Sequence, residues 1–66
     1  MAVAKTIEII SSSTKGIEDA VQSGLAKAGE TIYGIEGAWV KDTKVVVRDN
    51  SVVEWRVTMV LTFIVK

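Results

Sequence analysis

The chain has 66 residues, of which eight are basic and eight acidic, so its formal net charge at pH 7 is zero; it contains no Cys and no His. This composition excludes a disulfide framework, disfavours zinc and haem sites, and leaves no polybasic cluster for nucleic acid or anionic lipid. Residues 1–66 are expected to form one domain, close to the size at which a single core is only marginally stable. Because no stretch resembles a signal segment, we expect a cytoplasmic protein.

The first predicted element is a strand. Residues Val3–Ile10 alternate loosely, with Ile7 and Ile9 on one face. The hydroxyl run Ser11–Thr14 then predicts the end of the strand, and Ser13 or Thr14 is a candidate N-cap for a following helix, since a short side-chain oxygen accepts hydrogen bonds from free backbone N–H groups.

An amphipathic helix is predicted from Thr14 to Thr31. Its apolar residues recur at three- and four-residue spacing, namely Ile17, Ala20, Val21, Leu25, Ala28 and Ile32. Gly24 lies beside this stripe and would let the helix approach a sheet closely, and Gly34 is a candidate helix stop.

Two further strands are predicted, at Ile35–Arg48 and Ser51–Lys66, joined by a turn at Asp49–Ser51. The last strand alternates with a period of two. Its predicted core face comprises Val53, Trp55, Val57, Met59, Leu61, Phe63 and Val65, and its other face comprises Glu54, Arg56, Thr58, Val60, Thr62, Ile64 and Lys66.

The order of elements is β-α-β-β, which predicts an α+β fold. A helical crossover makes the first two strands parallel, and a hairpin makes the third antiparallel to the second. Placing the last strand in the centre makes every neighbouring pair antiparallel. We therefore expect a three-stranded antiparallel sheet wrapped on one amphipathic helix.

The second face of the last strand is only half polar. Val60 and Ile64 are large apolar side chains that a two-layer monomer would leave in water, and 66 residues cannot supply a third layer. The simplest cover is another copy of the chain, so we expect a homo-oligomer.

Catalysis is not predicted. Without His or Cys the common nucleophile and base pairs are missing, and the adjacent carboxylates Glu18 and Asp19 point in different directions on a helix. The segment Gly34–Gly37 precedes a strand and so does not resemble a phosphate-binding loop. The sequence favours a protein that binds and is not an enzyme.

The chain resembles the dodecins. The resemblance rests on the β-α-β-β order, on Ile7–Ser13, on Gly16–Val21 with Leu25–Ala28, and on Trp55–Phe63. It implies a small flavin-binding protein that assembles as a hollow dodecamer. It further implies pairs of riboflavin or flavin mononucleotide (FMN) molecules at two-fold contacts, each ring stacked on a Trp of the second strand and hydrogen-bonded by a Gln of the third.

Both of these family positions are substituted. By the same resemblance Gly37 stands at the Trp position and Arg56 at the Gln position. Trp39 lies two residues beyond Gly37, on the same face and about 7 Å along the strand. Lys44 falls where bacterial dodecins carry a basic residue near the ligand. Gly37, Trp39, Lys44 and Arg56 are therefore the candidate flavin-binding residues, with no catalytic or metal-binding residue assigned.

Two functions remain open. The first is flavin binding and storage, with Trp39 as the stacking residue. The second is a dodecin-like shell without a flavin site, in which Trp39 packs against its symmetry mate. Such a shell would be structural, or would bind another ligand such as a metal ion through acidic residues, for example Glu8, Asp42 and Glu54.

Overall fold

The computed structural model describes residues 3–65. The chain forms β1 (Val3–Ser13), α1 (Ile17–Gly29), β2 (Ile35–Arg48) and β3 (Ser51–Val65). The strands make one sheet in the order β1-β3-β2, and both neighbouring pairs are antiparallel. The predicted β-α-β-β order, with the last strand at the centre, is confirmed. Among residues 3–65, the structure contains no helix with the length and apolar character of a membrane span.

The first strand is longer than predicted. The serines from Ser11 to Ser13 pair with Val57, Arg56 and Trp55 of β3 and do not end the strand. Sheet pairing therefore outweighs their local preference for turns.

The helix is shorter than predicted at both ends. It begins after Gly16, so the predicted N-caps Ser13 and Thr14 are wrong. The Ser13 hydroxyl does accept hydrogen bonds from the backbone N–H groups of Lys15 and Gly16, at 2.9 and 3.4 Å, and donates one of 2.6 Å to Asp19. It thus organises the turn that leads into the helix.

The helix also ends before the predicted stop. Its last residue is Gly29, after which the N–H groups of Thr31 and Ile32 both bond to the carbonyl oxygen of Ala28. Gly34 has a φ of 78° and lies in the connection to β2, where its carbonyl accepts a hydrogen bond of 3.2 Å from the Ile64 N–H. It shapes the entry into the strand and does not terminate the helix.

The core lies between α1 and the middle of the sheet. Ala20, Val57, Met59 and Leu61 are fully buried there. Other apolar side chains pack around them, namely Ile7, Ile9, Val21, Leu25, Ala28 and Ile35. Gly24 permits the close approach that the sequence predicted, because a Cβ at this position would stand 2.9 Å from the Met59 Cε and from the Ser11 Cβ.

The predicted core face of β3 is buried only in its middle. Trp55 and Phe63 are half-buried, and Val53 and Val65 are exposed. The thirteen-residue helix is about 20 Å long, whereas the fifteen-residue strand extends over about 50 Å, so the helix cannot cover both ends. The helix packs on β1 and β3, which leaves most of β2 exposed.

The hairpin between β2 and β3 turns at Asp49 and Asn50. Arg48 pairs with Ser51, and the two residues between them have φ values of 53° and 63°. Positive φ at both central residues is the mark of a type I′ turn, whose twist matches that of the flanking strands. The predicted turn is confirmed.

Candidate ligand-binding face

The sheet face turned away from α1 is called the outer face here. Partners directly opposite one another in an antiparallel pair share a face, so the register assigns its members. They are Ala4, Thr6, Glu8, Ile10 and Ser12 of β1, Gly37, Trp39, Asp42, Lys44 and Val46 of β2, and Glu54, Arg56, Thr58, Val60, Thr62 and Ile64 of β3.

All four candidate flavin-binding residues lie on the outer face. Gly37 pairs with Thr62, Trp39 with Val60, and Lys44 with Arg56. Trp39 therefore shares the face of Gly37, as alternation along the strand predicted.

The indole of Trp39 is the largest exposed apolar group on this face. Its residue is 63% exposed, although its partner Val60 is half-buried. Gly37 leaves space beside it, since a Cβ added there would meet no atom within 4 Å. An accessible ring next to an open position can receive a flat ligand.

A β-bulge brings Lys44 to the face of Trp39. Val40 pairs with Met59 and Asp42 with Thr58, so Lys41 is an extra residue in β2. Strict alternation from Trp39 would place Lys44 on the helix side. The sequence reasoning missed this bulge, and its signal was the run of polar residues that interrupts alternation after Val40.

Two cations face each other where β2 and β3 pair at Lys44 and Arg56. Like charges directly opposite one another are unfavourable unless a counter-charge relieves them. The Arg56 Nε lies 2.9 Å from the Glu54 Oε2, which offsets one of the two charges. This part of the outer face is suited to an anionic group.

The four candidate residues do not converge within one chain. Trp39 and Lys44 lie opposite Val60 and Arg56, which are four residues apart on β3, or about 13 Å. Gly37 lies opposite Thr62, so its distance from Arg56 is about 20 Å. Within one chain, these residues therefore line a stretch of the outer face and do not form a single compact pocket.

An ion pair crosses the outer face between these two groups. The Lys41 Nζ lies 3.0 Å from the Glu8 Oε1, although β3 separates their strands. This contact, the Lys41–Glu8 bridge, was not predicted from the sequence.

The acidic residues considered for a metal do not assemble in one chain. Glu8 and Asp42 flank β3 at the neighbouring positions Val60 and Thr58, and Glu54 lies four residues farther along β3. Glu8 and Glu54 already pair with cations. Among residues 3–65, no group of three His, Cys, Asp or Glu side chains is placed to hold a metal ion.

Two cavities lie away from the candidate residues. One of about 400 Å³ adjoins the start of α1. The other, of about 240 Å³, lies between β1 and α1. Neither cavity is lined by Gly37, Trp39, Lys44 or Arg56.

Comparison with known proteins identifies the family. A family model described as Dodecin matches residues 3–66. The chain belongs to the dodecin family. No curated protein matches its sequence.

Solved dodecin structures share the fold. A mutant of the Thermus thermophilus dodecin is 27% identical, with a TM-score of 0.95 and coverage of 100% of this chain and 97% of that one. The Streptomyces coelicolor dodecin is 22% identical, with a TM-score of 0.94 and coverage of 98% and 93%. The calcium dodecin of Mycobacterium tuberculosis is 23% identical, with a TM-score of 0.84 and coverage of 97% and 91%.

Proposed function

We propose that this dodecin binds and stores a flavin, riboflavin or FMN, between copies of the chain in a cytoplasmic dodecameric shell. The observation that carries the proposal is the exposed indole of Trp39 on the outer face. Aromatic rings favour offset stacking, and a stacked pair contributes about 0.5–1.5 kcal/mol beyond its buried area. Residues 1–66 act in this proposal as one domain.

The proposal places the site at a two-fold contact. Trp39, Val60 and Ile64 give the outer face of each chain an apolar part, and Lys44 with Arg56 give it a charged part about 13 Å away. A second copy related by a two-fold axis can bring its charged part towards the first copy's indole. A flavin there would stack on Trp39 of one copy, with cations near its electron-rich edge or phosphate.

A second function follows from the substitutions. Gly37 and Arg56 stand at the positions where the family resemblance expects Trp and Gln, and glycine has no ring to stack on. Arg56 also replaces a side chain that donates and accepts with one that only donates. The alternative is therefore a shell with a structural role or another ligand. A metal ion such as calcium belongs to this alternative, because one relative of the same fold is a calcium dodecin.

A fluorescence titration separates the two functions. Riboflavin and FMN are each titrated with the protein, since stacking on an indole quenches flavin emission. Saturable quenching that is weakened by Trp39→Ala supports flavin storage. The matched control is Tyr33→Ala, which removes an aromatic side chain that is 86% exposed but lies outside the strands.

Two results would contradict flavin storage. One is the absence of quenching by either flavin at micromolar protein. The other is quenching that survives Trp39→Ala unchanged. Calcium titrated into the same protein and followed by calorimetry then tests the alternative, with Glu8→Gln and Asp42→Asn as the variants expected to weaken its binding.

A further inference from the structure

The Lys41–Glu8 bridge spans the central strand β3. Lys41 is in β2 and Glu8 in β1, on either side of the central strand. Two strand spacings amount to about 10 Å, a distance that these two side chains can close to 3.0 Å only when both are extended. The bridge therefore crosses the outer face between Thr58 and Val60.

This path runs beside Trp39. Trp39 and Glu8 both pair with Val60, so the three residues form one row across the sheet. Lys41 starts two residues beyond Trp39 and reaches the far end of that row. Its side chain therefore crosses β3 between the positions of Thr58 and Val60.

The row contains a contrast in exposure. Val60 is half-buried, whereas its partner Trp39 is 63% exposed. Packing of an exposed indole against a neighbouring apolar side chain lowers the free energy, because it removes apolar surface of both groups from water. A lysine stem can cover the same apolar surface while its charged end stays in water.

We propose that the Lys41–Glu8 bridge is a positioning element of the Trp39 site. The stem of Lys41 occupies the surface of Val60 on which the indole would otherwise lie, and Glu8 holds the stem there. The Trp39 indole consequently stays exposed, where a flat ligand can stack on it. The inference rests on the proposed function for the identity of the stacking partner, whereas the position of the ring is measurable without a ligand.

The ion pair should be weak and sensitive to the salt concentration. Both side chains are about half exposed, at 46% and 51%, and pairs of this kind are screened by salt. Raising the salt concentration is therefore expected to release Lys41 and lower the exposure of the indole.

The experiment measures Trp39 alone. Trp55→Phe removes the second indole, and in this background Lys41→Ala and Glu8→Gln each break the bridge. We expect both to shift the Trp39 emission to shorter wavelength and to reduce its quenching by acrylamide. The charge swap, Lys41→Glu with Glu8→Lys, should restore both signals, a rescue that general damage to the fold would not permit.

The matched control is Lys27→Ala. It breaks another surface ion pair, between Lys27 and Glu30 on the helix, and should leave the Trp39 signals unchanged. The proposal is wrong if Trp39 emission and quenching stay at wild-type values in both Lys41→Ala and Glu8→Gln. Riboflavin titrated into the same proteins tests the proposed function separately. If the wild type does not bind riboflavin, the proposed function is wrong, but the conclusion from Trp39 emission and quenching is unaffected.

Discussion

Trp39 and Gly37 occupy successive outward positions of β2, about 7 Å apart. In the pattern that the family resemblance implies, the aromatic side chain stands at the position of Gly37. In this chain it stands at Trp39, the next outward position along the strand. Because Gly37 has no neighbour within 4 Å of an added Cβ, a larger side chain fits there in the single chain.

Restoring the family pattern tests this shift. Gly37→Trp with Arg56→Gln should strengthen binding of riboflavin, which has no phosphate for Arg56 to contact, by about 1 kcal/mol, roughly fivefold in affinity, since a second ring adds a stacking contact. Quenching titrations of the wild type and the double variant measure the change. Weaker binding by Gly37→Trp alone would mean that Trp39 already fills the space a second ring needs, whereas weaker binding only after Arg56→Gln is added would mean that the Arg56 cation contributes to the site.

Gly24 provides a residue-scale test of the core. Gly24→Ala should destabilise the protein by about 1–3 kcal/mol, because its Cβ would stand 2.9 Å from the Met59 Cε and the Ser11 Cβ and force overpacking. Gly29→Ala is the control in the same helix, where an added Cβ meets nothing within 4 Å. Urea unfolding should show no loss of stability for Gly29→Ala, and equal losses for the two variants would contradict the close approach.

For the helix and strands, the sequence predicted the features that depend on hydrophobic periodicity. The strict alternation around Met59 and the helical spacing around Leu25 gave the correct types and order of elements, and the hydroxyl and glycine signals at their ends were less informative. Ser11–Ser13 stays in the sheet because β3 offers it partners, and Gly34 serves the entry to β2. The local preference of these residues for turns and helix ends is therefore overridden where pairing with another strand supplies the backbone hydrogen bonds.

The candidate site was predictable only in part for the same reason. The shared face of Gly37 and Trp39 follows from a period of two. The placement of Lys44 depends on the bulge at Lys41, and the Lys41–Glu8 bridge joins residues 33 positions apart. Neither feature follows from alternation alone, since both depend on the register between strands.

The hairpin turn gives the prediction at this scale. Asn50 has a φ of 63°, a conformation that glycine adopts without steric cost. Asn50→Gly should therefore stabilise the protein by up to about 1 kcal/mol, and Asn50→Val should destabilise it by about 1–2 kcal/mol. The midpoints of urea unfolding measure both changes, and a loss of stability in Asn50→Gly would contradict the type I′ turn.

At the scale of the molecule, the outer face and the uncovered part of the hairpin leave much apolar surface exposed in one chain. Exposed apolar residues include Ile10, Trp39, Val45, Val47 and Val52. A helix of thirteen residues cannot cover a sheet of this length, and residues 3–65 contain no second helix to do so. Association of copies would cover this surface, and the half-apolar face of β3 led us to expect the same homo-oligomer.

Ile64→Glu should break the assembly. A carboxylate buried at a contact without a partner costs several kcal/mol, which exceeds what a small interface can lose. Gln22→Glu adds the same charge on an exposed helix position and serves as the control. Light scattering should report smaller species only for Ile64→Glu, and an intact particle in this variant would show that Ile64 lies outside the contact.

Native mass spectrometry of the protein with FMN reports subunit number and bound flavin together, so it tests flavin storage between copies in one measurement. We expect twelve chains of 7.1 kDa, about 85 kDa in all, carrying additional mass in multiples of FMN. Dissociation of this particle should release the flavin, since a single chain does not bring Trp39 near Arg56. A monomer that retains FMN, or a twelve-chain particle that never takes it up, would contradict flavin storage between copies.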